Sequence, residues 1–126
     1  MDTRTKIVTR GALVALDPPR PLLLAIARFD VLRVELARDL AAARLRTGAR
    51  SLVAVVRPLA GELAPCEARA ELAAALRVVD YVLLAPNEDL DSLTASLQPI
   101  EILNLEEADA QRMRKLIEHV HSRQSV

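Results

Sequence analysis

The stretch L-L-L-A-I-A-R-F-D-V-L-R-V-E-L-A-R-D-L, from Leu22 to Leu40, changes its period part-way along. Its first part, Leu22 to Ala27, is a continuous apolar run, as expected of a strand buried on both faces. From Val31 to Arg46, Leu32, Leu36, Leu40 and Ala43 recur at spacings of three and four, with Arg33, Arg38, Asp39 and Arg44 left largely for solvent. That spacing predicts a helix, which Gly48 is placed to end. A buried strand feeding an amphipathic helix is the first half of a βαβ unit.

The same alternation runs outward in both directions. Upstream, Asp17-Pro18-Pro19-Arg20-Pro21 separates a short segment at Gly11 to Leu16 from the strand, because successive prolines cannot continue a helix. Downstream, Leu52 to Val56 is apolar, rich in β-branched residues and closed by Pro58, and residues 57–66 form a loop. A helix is predicted at Glu67 to Arg77 and a strand at Tyr81 to Leu84, with Asp80 and Tyr81 marking its start. Further on come a short helix near Asp89 to Leu97, a strand at Ile100 to Leu103 and a terminal helix from Glu106 to about Arg123. Acidic Glu106, Glu107 and Asp109 at the start of that last helix, and basic Arg112, Arg114 and Lys115 further in, suit its dipole. The sum is β-α-β-α-β-α-β-α: a Rossmann-like three-layer α/β/α fold with a mainly parallel sheet of about four strands, right-handed crossovers and helices on both faces.

A length of 126 residues with 52% hydrophobic and 27% charged residues matches one domain, spanning 1–126. No apolar run approaches the roughly 20 residues that cross a bilayer, and Met1 to Arg10 is polar, so a cytoplasmic protein without a membrane partner is expected. Phe29 and Tyr81 are the only aromatic residues, too few to stack nucleic-acid bases. Cys66 is the single cysteine, which excludes an internal disulfide and a multi-cysteine zinc site and suggests a small buried or half-buried side chain. His119 and His121 sit two apart, on opposite sides of a helix, not at the i, i+4 spacing that holds a metal. Residues 1–57 are strongly basic and 58–126 strongly acidic, although the net charge is zero. The halves either interleave and pair locally, or present a basic face to a phosphate ligand or partner. The basic group Arg38, Arg44, Arg46 and Arg50 reads as a solvated helix face, since it lacks aromatics and is mixed with acids.

The segment A-R-F-D-V-L-R-V-E-L-A-R-D-L, Ala27 to Leu40, resembles the signature G-x-F-D-x-x-H-x-G-H-x-x-x-L of the cytidylyltransferase-like nucleotidyltransferases, especially the heptose-phosphate adenylyltransferases and glycerol-phosphate cytidylyltransferases. E-A-R-A-E-L-A-A-A-L-R-V-V-D-Y-V-L-L, Glu67 to Leu84, is similar to that family's E-x-R-A-E-x-L-A-A-L-R-x-V-D-Y-V. Val53 to Val56 sits where the family's second strand lies, and Lys6 to Thr9 with Leu13 and Val14 looks like its lead-in helix.

The resemblance implies an NTP held over the amino end of the first long helix, with the H-x-G-H histidines stabilising charge on the transferring phosphate. Here those positions are Arg33, Glu35 and Leu36. Arg33 still offers a cation, but Leu36 has no donor. Glu35 sets a carboxylate where glycine let phosphate approach, at a cost on the order of several kcal/mol if unscreened. Ala27 replaces the opening glycine, the N-x-D after the second strand is Val56-Arg57-Pro58, and no S-T-T segment follows Leu103. The residual nucleotide or phosphate contacts implied are Phe29, Asp30, Arg33 and Arg69, with no catalytic residue and no metal ligand. Asp30 is alternatively a helix N-cap, and Arg69 an exposed helical arginine.

Three functions follow. The first is a degenerate, inactive member of this family, a pseudoenzyme acting as a binding or regulatory module on an active relative or as a homodimer. The second is an active nucleotidyltransferase, taking ATP or CTP with Mg²⁺ and a sugar or polyol phosphate. The third is a ligand-free assembly protein.

Overall fold

The computed structural model describes residues 3–29, 34–57, 65–84 and 90–105. After a 3-10 turn at Thr3–Lys6 come β1 (Ile7–Val8), α1 (Arg10–Leu16), β2 (Leu22–Ile26), α2 (Val34–Thr47), β3 (Ser51–Val56), α3 (Cys66–Ala74), β4 (Tyr81–Leu84), α4 (Leu90–Leu97) and β5 (Glu101–Asn104). The five strands form one parallel sheet in the order β1-β4-β3-β2-β5, an α/β arrangement of Rossmann-like kind.

Three expectations about the elements are corrected. Among the described residues the sheet has five strands where about four were expected, because Ile7 and Val8 pair with Val82 and Leu83. Ile7 to Thr9 is therefore not part of a lead-in helix, although Leu13 and Val14 do lie on α1. Thr9 instead caps α1, its hydroxyl accepting the Ala12 N–H at 3.1 Å. The helix expected to run to Arg77 ends at Ala74, where the chain turns through Leu76 N–H to Ala73 O (3.1 Å) and Val79 N–H to Leu76 O (3.2 Å), bringing Val79 into the core before β4. The terminal helix, the histidine pair, Asp30 and Arg33 lie outside the described residues.

The continuous apolar runs of β2 and β3 are buried along their whole length, as strands covered on both faces must be. Their alternate residues divide the core. Leu23, Ala25, Leu52, Ala54 and Val56 pack with Leu36, Leu40 and Ala43 of α2 and with Ala70, Ala73 and Ala74 of α3. Leu22, Leu24, Ile26, Val53 and Val55 pack on the other face with Leu13 of α1 and with Leu93 and Leu97 of α4. Small side chains on the first face let α2 and α3 approach the sheet closely.

The helix ends are specified locally. Gly48, at φ +68°, closes α2: its N–H reaches Leu45 O, and Ala49 N–H reaches back to Arg44 O at 3.2 Å, the paired bonds of a Schellman motif. Arg20 covers the end of α4, its Nη1 donating to Leu97 O and Gln98 O at 2.8 and 2.9 Å. Arg44, expected in solvent, is half-buried instead. Its guanidinium donates to Val78 O (2.9 Å) and Arg50 O (2.7 Å) and pairs with Asp80 at 2.9 Å, tying the end of α2 to the starts of β3 and β4.

Candidate functional site

β2 lies between β3, which follows it in the chain, and β5, which arrives last, so the strand order reverses at β2. In open parallel sheets ligands occupy the crevice outside the carboxyl ends at such a reversal. The residues there are Ala27, Arg28 and Phe29 after β2, the first turn of α2, Arg57 after β3, and Asn104 and Leu105 at the end of β5. Leu105 N–H bonds Ile26 O at 2.6 Å, so the two strands stay paired to their ends.

Phe29 is 1% exposed and adopts φ +55°, a left-handed conformation that bulky residues rarely take. Its ring belongs to the core between the sheet and α2, so packing offsets the backbone strain. In the first turn of α2, Glu35 faces solvent and Leu36 is 3% exposed. Leu36 lies one turn before Leu40 on the core face, and apolar packing therefore reaches the head of the helix.

Arg69 is the residue whose placement departs furthest from expectation. It is fully buried, not an exposed helical arginine. From the first turns of α3 its Nη1 donates to Arg28 O at 3.1 Å, and its Nη2 donates to Arg57 O at 2.8 Å and to Cys66 Sγ at 3.1 Å. The planar fork joins the carbonyls just past β2 and β3, satisfying acceptors that neither strand ladder uses. Of the four residues the resemblance singles out, Phe29 and Arg69 meet at this end of the sheet through the Arg28 carbonyl. Asp30 and Arg33 lie outside the described residues.

Sequence reasoning could not find the partners of Arg69, because backbone carbonyls leave no mark in residue type. The one available signal was an arginine among Ala70, Ala73 and Ala74, where small neighbours leave room for a guanidinium inside. Cys66, a free thiol, is half-buried as expected. Among the described residues no group of three or more His, Cys, Asp or Glu side chains could hold a metal ion, and no helix is long and apolar enough to cross a membrane.

No protein-family model matches the sequence, and no curated protein matches it. Among solved structures, the chain is similar to the lipopolysaccharide core biosynthesis protein from Thermoplasma volcanium GSS1. The TM-score is 0.57 at 21% identity, over 75% of this chain and 87% of that one. At that identity the likeness establishes a shared fold.

Proposed function

We propose that the chain is a degenerate cytidylyltransferase-like, nucleotidyltransferase-fold protein that has lost nucleotidyl transfer and serves as a binding or regulatory module, on an active relative or as a homodimer. One observation carries the reading: Leu36, at the position of the resemblance's second histidine, is part of the packed core. A side chain without a donor, buried against the sheet, cannot hold a triphosphate. Next to it Glu35 adds a negative charge at the helix end that would otherwise attract one. Arg69 supports the same reading, since donors already given to two backbone carbonyls are withdrawn from any phosphate. The binding role is supported by Leu45 on α2, 86% exposed, which with Ala41, Gly48, Ala49, Val78 and the one charged residue Arg44 lines a mostly apolar cavity of the kind partners cover.

The test is thermal unfolding of the full chain with ATP or CTP and Mg²⁺. The midpoint should stay where it is, whereas a rise of several degrees would show that triphosphate still binds. Pyrophosphate release in the presence of heptose phosphate or glycerol phosphate would overturn the inactive reading and make Arg33 the replacement for a histidine.

A further inference from the structure

The opposite end of the sheet is built differently. Lys6 precedes β1, Pro19 lies in the link to β2, Arg50 precedes Ser51 at the start of β3, and Asp80 precedes Tyr81 at the start of β4. Because these strands are parallel neighbours, residues scattered along the chain meet there around a cavity of about 420 Å³, within the range of small-molecule sites.

Its polar groups are unequally satisfied. Asp80 is the only carboxylate in the lining among the described residues, and it is neutralised from outside: its Oδ2 accepts the Leu52 N–H at 2.8 Å and pairs with Arg44 at 2.9 Å. The Ser51 hydroxyl donates to Pro19 O at 2.7 Å. Lys6 Nζ donates to Leu76 O at 3.2 Å, a neutral acceptor that leaves its charge uncompensated and two of its hydrogens available. The Arg50 guanidinium is exposed and has no partner among the described residues. Its backbone, however, is fixed at both ends, the N–H on Pro21 O (2.8 Å) and the carbonyl under Arg44 Nη2 (2.7 Å). Two cations without a carboxylate partner among the described residues thus share one cavity, with Thr5, Pro19 and Tyr81 also in its lining.

We propose that this amino-end cleft binds a small phosphate monoester, its phosphate between Lys6 and Arg50 and its organic part against Pro19 and Tyr81. A monoester carries close to two negative charges at neutral pH and three terminal oxygens, matching two cations and the planar fork of an arginine. A carboxylate matches only one of the two charges. Inorganic phosphate would leave most of the cavity unfilled.

The site is distinct from the carboxyl end considered under the proposed function, and the experiment separates them. The full chain is titrated with phenyl phosphate, inorganic phosphate and benzoate, following backbone amide resonances. Phenyl phosphate should bind more tightly than the other two and shift Arg50, Ser51 and Tyr81, not Glu35 and Leu36. Arg50→Gln, whose side chain bonds nothing among the described residues, should weaken binding by about tenfold, and Lys6→Gln by a comparable factor. Arg33→Gln should leave it unchanged. The proposal fails if Arg50→Gln binds phenyl phosphate like the parent protein, if the shifts centre on residues 27–36, or if phenyl phosphate binds no better than inorganic phosphate or benzoate.

Discussion

Arginines stand at both ends of the sheet, in opposite conditions. At the carboxyl ends of β2 and β3, Arg69 is buried and its fork is occupied by the Arg28 and Arg57 carbonyls. At the amino ends, Arg50 is exposed, is fixed through its backbone, and shares a cavity with Lys6, neither cation having a carboxylate partner among the described residues. Parallel sheets ordinarily bind ligands at the carboxyl end. The contrast teaches that the fold sets where a crevice forms, whereas the state of the donors there decides whether it can take a charged ligand. Phe29 and Leu36 make the same point with apolar groups: at these two positions, where the resemblance implies nucleotide contacts, the side chains belong to the core.

The most severe way to break this contrast is to remove the fork of Arg69. Arg69→Met fills similar space but leaves two buried carbonyls without that donor, and should cost about 4 kcal/mol in urea unfolding. A loss under about 1 kcal/mol would mean that the guanidinium is dispensable and the carboxyl end looser than its bonds imply. Next comes Leu36→Ala. If the head of α2 is core, the cavity and the lost transfer energy together cost about 2 to 3 kcal/mol. If Leu36 instead bordered an open pocket, water would fill the space and the loss would be far smaller.

The sequence made one of these ends far more legible than the other. The run Leu22 to Ala27 and the spacing of Leu36, Leu40 and Ala43 expose β2 and the core face of α2 directly, because burial on two faces and burial on one stripe select different periods. Gly48 was legible for a similar reason: a positive φ at the end of a helix favours glycine. β1 was not, since two residues carry no period and Ile7 and Val8 become a strand only because Val82 and Leu83 lie beside them. The burial of Arg69 is invisible for a different reason. Its acceptors are main-chain atoms, and its closeness to Arg28 depends on how α3 returns over the sheet. The amino-end cleft is hidden most completely, because Lys6, Pro19, Arg50 and Tyr81 converge only through the order β1-β4-β3-β2. No local pattern encodes that order.

Arg44 sharpens the comparison from the amino side. It lies outside the lining of the cationic cleft, yet it neutralises Asp80 and holds the Arg50 carbonyl. Arg44→Ala should destabilise the fold by only about 1 kcal/mol, because the pair is partly exposed and solvent takes up much of the lost interaction. Its effect on phosphate-monoester binding should be more telling. With Asp80 unpaired, a full negative charge borders the cleft, and affinity for phenyl phosphate should fall roughly fivefold. An unchanged affinity would show that the charge of Asp80 does not reach the ligand.

The smallest effect is expected on the flank, where Arg46 pairs with Glu101 at the start of β5. Arg46 Nη1 reaches Glu101 Oε1 at 3.0 Å, and a second bond joins Nη2 to Oε2. The hydrogen bond from Arg46, with its charge, holds the Glu101 carboxyl below the ordinary carboxylate range, and the same bond raises the Arg46 guanidinium. A carboxyl depressed in the folded state contributes stability at pH values above its unfolded pKa. That contribution is lost as pH falls through the lower, folded value. Glu101→Gln should therefore lower the thermal midpoint slightly at neutral pH, the difference from the parent protein should close in acid, and phenyl phosphate binding should not change. Here an arginine is matched by a carboxylate in solvent, a third condition beside buried Arg69 and unmatched Arg50. If removing Glu101 weakened phenyl phosphate binding as much as Arg44→Ala does, the cleft would be responding to the charge of the whole surface, and local matching of donors would no longer explain why the two ends differ.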